Sequence, residues 1–465
     1  MRDLLFLALQ LPMIYFALRR HYIALALWVW TGFFVPVHWL HNLGESVSYN
    51  SLYAGLTLLS LLFSSPKPKQ FFSFTFVIIA CFWLLTTITS YLGISNQVLM
   101  WTSWSNFTKV MIITVCTAAI VRERREFNLI IWMIALSVGF YGFVEGLKFL
   151  ASLGGHRIKG PTGHLIEDNN HLAAALCMTL PLMVYLMGET KTKLIKLGLM
   201  GVCAICVLAI LGTHSRGGLI GLIVVGGYFW LKSNQKILSL IAIILVGSVA
   251  IQLLPERWFN RMDTIETAAV DDKSFAGRLN AWKIHTLIAL DRPLTGGGFK
   301  AAEVSEIWIS KSADLDRVDF FETPPPGERG KAAHSIYFQV LGDHGFIGFG
   351  MFMTVIGITV LKLSVIQRRG RRSPEVKWMS SLSKMLLLSI IAYCTTGAAL
   401  SLAYFEFFWI LVALTAALYF VNSEWADAHL KRTRNGDQVW QSGQQTQGAY
   451  RDAGRTSSPE ESSYA

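Results

Sequence analysis

Arg216 is the first residue whose type and position suggest chemistry. It lies in THSRGGLIGL, residues 213–222, between two long runs of apolar residues. An ionisable side chain at such a depth is costly, so it marks a functional site when a partner can be named. His214 precedes Arg216, and the two glycines after it let a ligand or a second backbone come close. The stretch predicts an anion-binding position, with a snorkelling interfacial arginine as the alternative.

A second polar cluster occurs in KGPTGHLIEDNNHLAAA, directly before another apolar run. One of Asp168, Asn169 and Asn170 is expected to cap the following helix, because short polar side chains accept hydrogen bonds from its first amides. The other two are then candidates to bind substrate. Lys159, directly before Gly160, is a further candidate.

The long segment 255–340 contains SFAGRLNAWKIHTLIAL, whose apolar spacing predicts an amphipathic helix at the membrane surface. Arg278, Trp282 and His285 share one face of that helix, at positions i, i+4 and i+7. The following DRPLTGGGF ends the helix with a proline and a glycine turn. This face therefore adds a second arginine and an aromatic ring to the candidate site.

His334 belongs to KAAHSIYFQVLGDHG, at the predicted outer start of a helix, and Asp343 and His344 follow further along it. A histidine can remove a proton from a hydroxyl near neutral pH. The planar fork of arginine binds two phosphate oxygens and stays charged. Arg216, Arg278 and His334 together predict a site that binds an anionic lipid headgroup or pyrophosphate and activates an acceptor.

Other catalytic motifs are absent from the sequence. It contains no H-E-x-x-H, no G-x-S-x-G, no P-loop and no dinucleotide-binding G-x-G-x-x-G. Asp314 and Asp316 form a D-x-D, a pattern that can hold a metal and a nucleotide sugar, but they lie in a polar run on the predicted outer side. The sequence predicts neither a metal nor another cofactor.

The composition defines the elements that must position these residues. The chain has 465 residues, 53% hydrophobic and 15% charged. Its apolar runs are about 15–21 residues long, enough to cross about 30 Å of hydrocarbon. We expect an all-α polytopic membrane protein with about 12–13 transmembrane helices, the count depending on whether residues 4–18 cross. The expected parts are N-terminal helices (1–254), a large periplasmic loop with short amphipathic helices (255–340), C-terminal helices (341–423) and a disordered cytoplasmic tail (424–465).

The net charge of +11 is explained by topology. Basic residues gather in alternate loops, as in the RERR at 122–125 and QRRGRR at 367–372. The positive-inside rule makes those loops cytoplasmic, so the candidate site faces the outside. The basic residues do not gather on a soluble domain, which argues against nucleic-acid binding. The six cysteines lie in apolar runs and are expected to be packing residues, not disulfides.

The order of these motifs resembles the O-antigen ligase and polymerase superfamily. The shared order is an arginine at the start of a mid-chain helix, an outer loop with G-R-x-x-x-W and a later G-x-G, then A-H-S-x-Y-x-x-x-L-G-x-x-G. The opening MRDLLFLAL, the early W-V-W, DNNHLAAAL and AHSIYFQVLGDHG are similar to the exosortase A-associated O-glycosylation ligases. The resemblance covers roughly residues 1 to 425.

The resemblance implies a metal-independent, inverting glycosyltransferase without a cofactor. Such an enzyme moves a glycan from a polyprenyl diphosphate carrier to a hydroxyl of a glycan, lipid or protein, at the periplasmic face of the bacterial inner membrane and among its lipids. Arg216 and Arg278 would hold the diphosphate and His334 would be the base. Many members carry Glu where this chain has Asp343, so the resemblance assigns that carboxylate no role. The alternatives are a repeat-unit polymerase of the same superfamily and a transporter of an anionic lipid-linked substrate.

Overall fold

The computed structural model describes residues 2–41, 44–63, 73–253, 273–318, 323–370 and 374–453. These residues form helices and turns, and no strand occurs among them. The chain is an all-α polytopic membrane protein, which confirms the predicted fold class. The helices are α1 Arg2–Arg19, α2 His21–Phe34, α3 Tyr49–Leu62, α4 Phe74–Tyr91, α5 Gln97–Ile120, α6 Arg124–Ala151, α7 Asn169–Glu189, α8 Lys193–Gly212, α9 Arg216–Lys232, α10 Lys236–Leu253, α11 Lys273–Asp291, α12 Ser305–Ser312, α13 Ile336–Gly370, α14 Lys377–Gly397 and α15 Glu406–Ala453.

Each apolar run predicted to cross the membrane coincides with one of α1–α10 or α13–α15. Seven helices in the described part of the chain are long and apolar enough to cross: α4, α6, α7, α8, α13, α14 and α15 as far as His429. Helix α2 is apolar but shorter. The total of about 12–13 spans stays a prediction.

Helix α7 lies at the centre of the bundle. Every residue from Leu172 to Met183 is buried, and α7 packs against α6, α8, α9 and α14. A helix that is apolar on all sides is expected in such a position. This packing fixes the N-terminus of α7, with its DNNH cluster, at one end of the bundle.

The loops predicted to face outside meet at that same end. Hydrogen bonds join them in pairs: Ile94 N to Gly297 O (2.9 Å), Asn169 Nδ2 to Thr213 O (2.7 Å) and His334 N to Ser401 Oγ (2.8 Å). At the start of α6 and the end of α7, where the predicted cytoplasmic loops begin, Arg124 makes two hydrogen bonds of 2.7 and 2.9 Å with Glu189. The pairing of loops agrees with the predicted alternation, and the side each end faces stays a prediction.

Helix α11 occurs where the sequence predicts it. Every side chain from Phe275 to Ala289 is buried or half-buried, because α11 packs against α13 and a small apolar core. That core comprises Ala281, Ile284, Ile288, Ala301, Ala302 and Trp308. The apolar residues of α11 thus contact protein on more than one face, and its position at the membrane surface stays a prediction.

Helix α15 continues to Ala453, into the segment 424–465 that composition predicts to be disordered. The stretch 424–453 contains no proline and is rich in Gln, Ala and Arg, which all permit a helix. Its backbone is therefore helical, although its composition is polar. The cytoplasmic position of this segment stays a prediction.

Candidate functional site

His334 lies two residues before the start of α13 in a strained backbone conformation. Its φ is 46°, in the left-handed region that costs energy for any residue except glycine. The His334 amide donates a hydrogen bond to Ser401 Oγ at 2.8 Å, which holds this conformation. Within the described residues, neither ring nitrogen of His334 makes a hydrogen bond, so the half-buried ring keeps a lone pair for a ligand.

The face of α11 predicted from spacing contacts the start of α13. Trp282 stacks on Phe338, with ring centroids 5.1 Å apart and planes at 9°. The ring of His285 lies against Gly342, where a Cβ atom would come within 2.5 Å of it. Its Nδ1 donates to Ala281 O at 2.7 Å, so His285 supports the packing of the two helices.

The electrostatic environment of His334 joins three segments. Burial, together with smaller contributions from the charges of Arg278, His171 and Lys331, lowers the pKa of His334 to about 4, while Asp168 acts in the opposite direction. Burial also lowers the pKa of His285 to about 4, with a smaller contribution from His334. The structure thus brings the predicted arginine of α11, the predicted histidine of α13 and the start of α7 into one group.

In the DNNH cluster, one residue caps α7 as the sequence predicts, and the substrate-binding roles of the other two stay predictions. Asp168 is the N-cap of α7, and its Oδ1 accepts hydrogen bonds from the amides of Asn170 (2.9 Å) and His171 (3.3 Å). Asn169 donates to Thr213 O, which ties α7 to the α8–α9 turn. The side chain of Asn170 donates to Asp168 Oδ1 at 3.1 Å. All three predicted residues therefore have protein partners, and Asp168 also acts on His334.

Arg216 begins α9 beside the first turn of α7. Ser215 caps α9, because its Oγ accepts a hydrogen bond from Gly218 N at 3.1 Å. A Cβ atom at Gly218 would lie 2.7 Å from Ala173 Cβ, so the glycine allows α9 to approach α7. Arg216 itself is half-buried. The sequence predicts that this glycine pair lets a ligand or a second backbone come close. In the structure, Gly218 lets helix α7 come close.

Two predicted binding residues have other surroundings. The His214 ring packs against Phe149 at 6.4 Å between centroids, on α6. Lys159 is exposed. Gly160 after it donates its amide to Glu167 O at 2.9 Å and closes the loop on itself. Neither residue is among the charges that act most strongly on His334.

Sequence reasoning did not select His171 or Lys331, which the structure brings to His334. His171 Nδ1 donates to Leu165 O at 2.8 Å, which orients the ring. The sequence shows only that His171 follows Asp168 by three residues and that Lys331 precedes His334 by three. This local spacing does not predict that the segment of His171 lies next to the segment of His334.

Asp343 belongs to a second polar group, one that joins backbones. Helix α13 is broken at Gly345, where φ is 67° and ψ is −168°. The TGGG turn fills this break: Gly297 N donates to Gly342 O and Gly298 N to Asp343 O, both at 2.9 Å. The Asp343 carboxylate accepts from the amide of Lys300 at 3.1 Å and from the Tyr404 hydroxyl at 2.8 Å. Both carboxylate oxygens of Asp343 therefore accept hydrogen bonds from other parts of the protein.

The D-x-D motif contributes to an ion-pair network. Arg317 Nη2 lies 2.9 Å from Asp291 Oδ1, and Arg317 Nη1 lies 3.7 Å from Asp314 Oδ2. Lys311 Nζ lies 2.5 Å from the second oxygen of Asp291. No group of three His, Cys, Asp or Glu side chains within the described ranges could hold a metal ion.

The described residues form a polytopic helical bundle, and Arg278, His334 and the start of α7 come together at one end of it. Residues 201–353 match the family described as O-Antigen ligase, and residues 1–193 match a family of unknown function, DUF5935. No curated protein matches the chain. Residues 201–353 are therefore similar to the O-antigen ligase family, which supports the resemblance predicted from the motifs, while the exosortase-associated subgroup stays a prediction. The matched segment includes Arg216, Arg278 and His334, whereas the start of α7 lies outside it.

Proposed function

We propose that this membrane enzyme transfers a glycan from a polyprenyl diphosphate carrier to a hydroxyl acceptor at the periplasmic face of the bacterial inner membrane. The observation that carries the proposal is the meeting of Arg278, from α11, with His334, from the start of α13, beside the N-terminus of α7. A cation and a proton acceptor held together by separate elements fit a donor with an anionic leaving group. The ligase family match supports the same class of reaction.

The reaction follows from these roles. The acceptor hydroxyl gives its proton to a ring nitrogen of His334 as its oxygen attacks the anomeric carbon of the donor sugar. The bond between that carbon and the diphosphate oxygen breaks, and the electron pair leaves with the diphosphate. Attack opposite the leaving group inverts the anomeric configuration. Arg278 and Arg216 stabilise the growing negative charge, which is most effective when the donors are already positioned.

Donor binding also adjusts the base. In the free enzyme, burial and the nearby cations keep His334 neutral by lowering its pKa to about 4. A bound diphosphate brings negative charge next to Arg278 and offsets those cations, so the pKa of His334 rises when the donor is present. His334 then becomes a stronger base only in the complex, which limits proton uptake without substrate.

The proposal assigns lesser roles to the remaining residues. Asp168 partly balances the cations around His334, and Asn169 holds the start of α7 against the turn before Arg216. The stacked pair of Trp282 and Phe338 offers an aromatic surface near the site. No step requires a metal, so we expect chelators to leave transfer unchanged.

The test is to delete the gene, extract the polyprenyl-linked glycans and measure their length, with complementation by wild type, Arg278→Ala and Arg216→Ala. We expect long glycans to accumulate on the carrier and both variants to fail, with normal membrane insertion. Single repeat units would instead identify a polymerase. An unchanged carrier pool, or robust transfer by either variant, would show that the proposal is wrong and favour a transporter.

A further inference from the structure

The loop that joins α14 to α15, residues 398–405, contacts the backbone of His334. Ser401 Oγ in this loop accepts a hydrogen bond from the His334 amide at 2.8 Å, and the φ of His334 is 46°. A residue other than glycine keeps such a left-handed conformation only where the surrounding structure enforces it. Ala333 and Ser335 are buried, so the segment is fixed before and after His334. The Ser401 hydroxyl fixes the amide of His334 itself.

The loop around Ser401 is held firmly by its surroundings. Its residues Leu400, Leu402 and Ala403 are buried, so packed residues lie on both sides of Ser401. Three hydrogen bonds with side chains of neighbouring helices fix the loop backbone: Tyr393 Oη to Leu402 O (2.9 Å), Trp409 Nε1 to Ala403 O (3.2 Å) and Ala403 N to Gln339 Oε1 (3.1 Å). Serine has a short side chain with few rotamers, so the fixed backbone also defines where Ser401 Oγ lies.

The loop and the segment of His334 are joined at a second point. Gln339, which accepts the hydrogen bond of the Ala403 amide, lies on α13, five residues after His334. Two residues of one segment are thus bound to two residues of the loop, which fixes the orientation of that segment. The φ of His334 determines where its Cβ points and which rotamers its ring can adopt. The loop therefore sets the direction of the His334 ring.

We propose that Ser401 is a positioning residue, which holds the His334 ring towards the acceptor hydroxyl by accepting the His334 amide. This inference rests on the proposed function, in which His334 is the base. A base must lie within hydrogen-bond reach of the proton that it removes, and a displacement of about 1 Å can cost about 100-fold in rate. Ser401 lies outside residues 201–353, so the match to the ligase family does not include it.

The experiment measures kcat and KM of the purified full-length protein in transfer from a lipid diphosphate donor. We expect Ser401→Ala to lower kcat by on the order of 10- to 100-fold, because the ring of the base is misplaced. The KM for the donor should stay within about threefold of wild type, because the arginines that hold the diphosphate are unchanged. Ser401→Thr keeps the hydroxyl and should recover most of kcat. Thermal melting of each variant separates a lower rate from lost folding.

Ser152→Ala is the matched control. Ser152 Oγ accepts a hydrogen bond from the His156 amide at 2.7 Å, in the loop between α6 and α7. The variant therefore loses the same kind of contact, from a serine to the backbone of a histidine, away from His334. Its kcat and KM should both stay near those of wild type. A loss of kcat in Ser152→Ala equal to that in Ser401→Ala would overturn the proposal.

Gln339→Ala tests the second link between the loop and α13. It should lower kcat by a smaller factor than Ser401→Ala and leave the donor KM unchanged. In the double variant, the loss should be smaller than the product of the two single losses, because both changes release the same loop. Independent effects that multiply would contradict a shared role of these two contacts.

The outcomes also separate this inference from the proposed function. If folded Ser401→Ala keeps the kcat of wild type, or raises KM as much as it lowers kcat, the positioning role is wrong. If His334→Ala loses transfer while Ser401→Ala does not, only the role of Ser401 fails. If His334→Ala itself transfers as well as wild type, the proposed function fails.

Discussion

His334 and His344 occur in one motif of the sequence, but they lie in groups of opposite character. His344 is fully buried, shares a 2.7 Å hydrogen bond with Thr89, and its ring lies edge-on to Phe82, Phe299 and Tyr404. The His334 ring makes no hydrogen bond to the described residues and faces cations. The group around His344 is enclosed by aromatic rings, although His344 Nε2 makes no hydrogen bond within the described residues, whereas the group around His334 faces cations. The residue type alone does not distinguish a histidine that packs inside the fold from a histidine that can contact a ligand.

The largest expected effect on transfer comes from replacing His334 by alanine, and the same replacement at His344 is the comparison. His334→Ala should lower transfer by roughly 10²- to 10⁴-fold, because a positioned base contributes about that much. Its folded yield should stay normal, since its ring makes no hydrogen bond to the described residues. The assay is in vitro transfer with a lipid diphosphate donor, normalised to folded protein.

His344→Ala is the matched comparison for that experiment. It removes a buried ring from an aromatic cluster, so it should lower the thermal stability by a few kcal/mol and leave the rate per folded molecule within a few-fold. Transfer that survives in the His334 variant and disappears in the folded His344 variant would reverse the assignment of the two groups.

The sequence predicts the helices, but it does not predict which segments come together around His334 and around His344. Apolar runs predict helices because a backbone in hydrocarbon must satisfy its own hydrogen bonds. Spacing correctly places Arg278, Trp282 and His285 on one face. The pairing of the TGGG turn with the break at Gly345 joins segments nearly fifty residues apart, and no local pattern encodes it. The same holds for the hydrogen bond from His334 to Ser401, which depends on how the segment before α13 and the loop after α14 approach each other.

The pH dependence gives the second largest effect. With its pKa lowered to about 4 by burial and by Arg278, His334 stays neutral as the pH falls until that value is approached. We therefore expect kcat/KM to change little between pH 7 and 5.5, where a histidine at its ordinary pKa would lose roughly eightfold of its basic form. The limb for kcat should lie at a higher pH than that for kcat/KM, because the bound diphosphate raises the pKa.

Stability must be measured at the same pH values. The pKa of His285 and of His164 is also lowered to about 4, in both cases mainly by burial. The unfolded chain then binds more protons than the folded chain below about 6.5, so stability falls as the pH falls towards 4. Melting curves define the range in which a change in rate reflects His334. A loss of kcat/KM near pH 6.5 in folded protein would contradict the lowered pKa.

Substitution of Asp343 tests whether the group around His344 has a structural role. Asp343→Ala leaves the Tyr404 hydroxyl and the Lys300 amide without their acceptor, at a cost of about 1–3 kcal/mol for each buried donor. We expect a lower melting temperature and near-normal transfer per folded molecule. Tyr404→Phe in the Asp343→Ala background should recover part of the loss by removing one orphan donor. A stable but inactive Asp343→Ala protein would instead give this carboxylate a chemical role.

The smallest effect is expected at the D-x-D motif, which lies outside both groups. Asp314 makes a partly exposed ion pair with Arg317 at 3.7 Å, and such pairs contribute about 0–1 kcal/mol. Asp314→Asn combined with Asp316→Asn should therefore leave transfer and melting temperature near wild type, with or without a chelator. A metal-dependent loss of transfer in this variant would mean that the anion is held by a metal as well as by cationic side chains. The site around His334 would then use a metal ion as a second source of positive charge, in addition to Arg278 and Arg216.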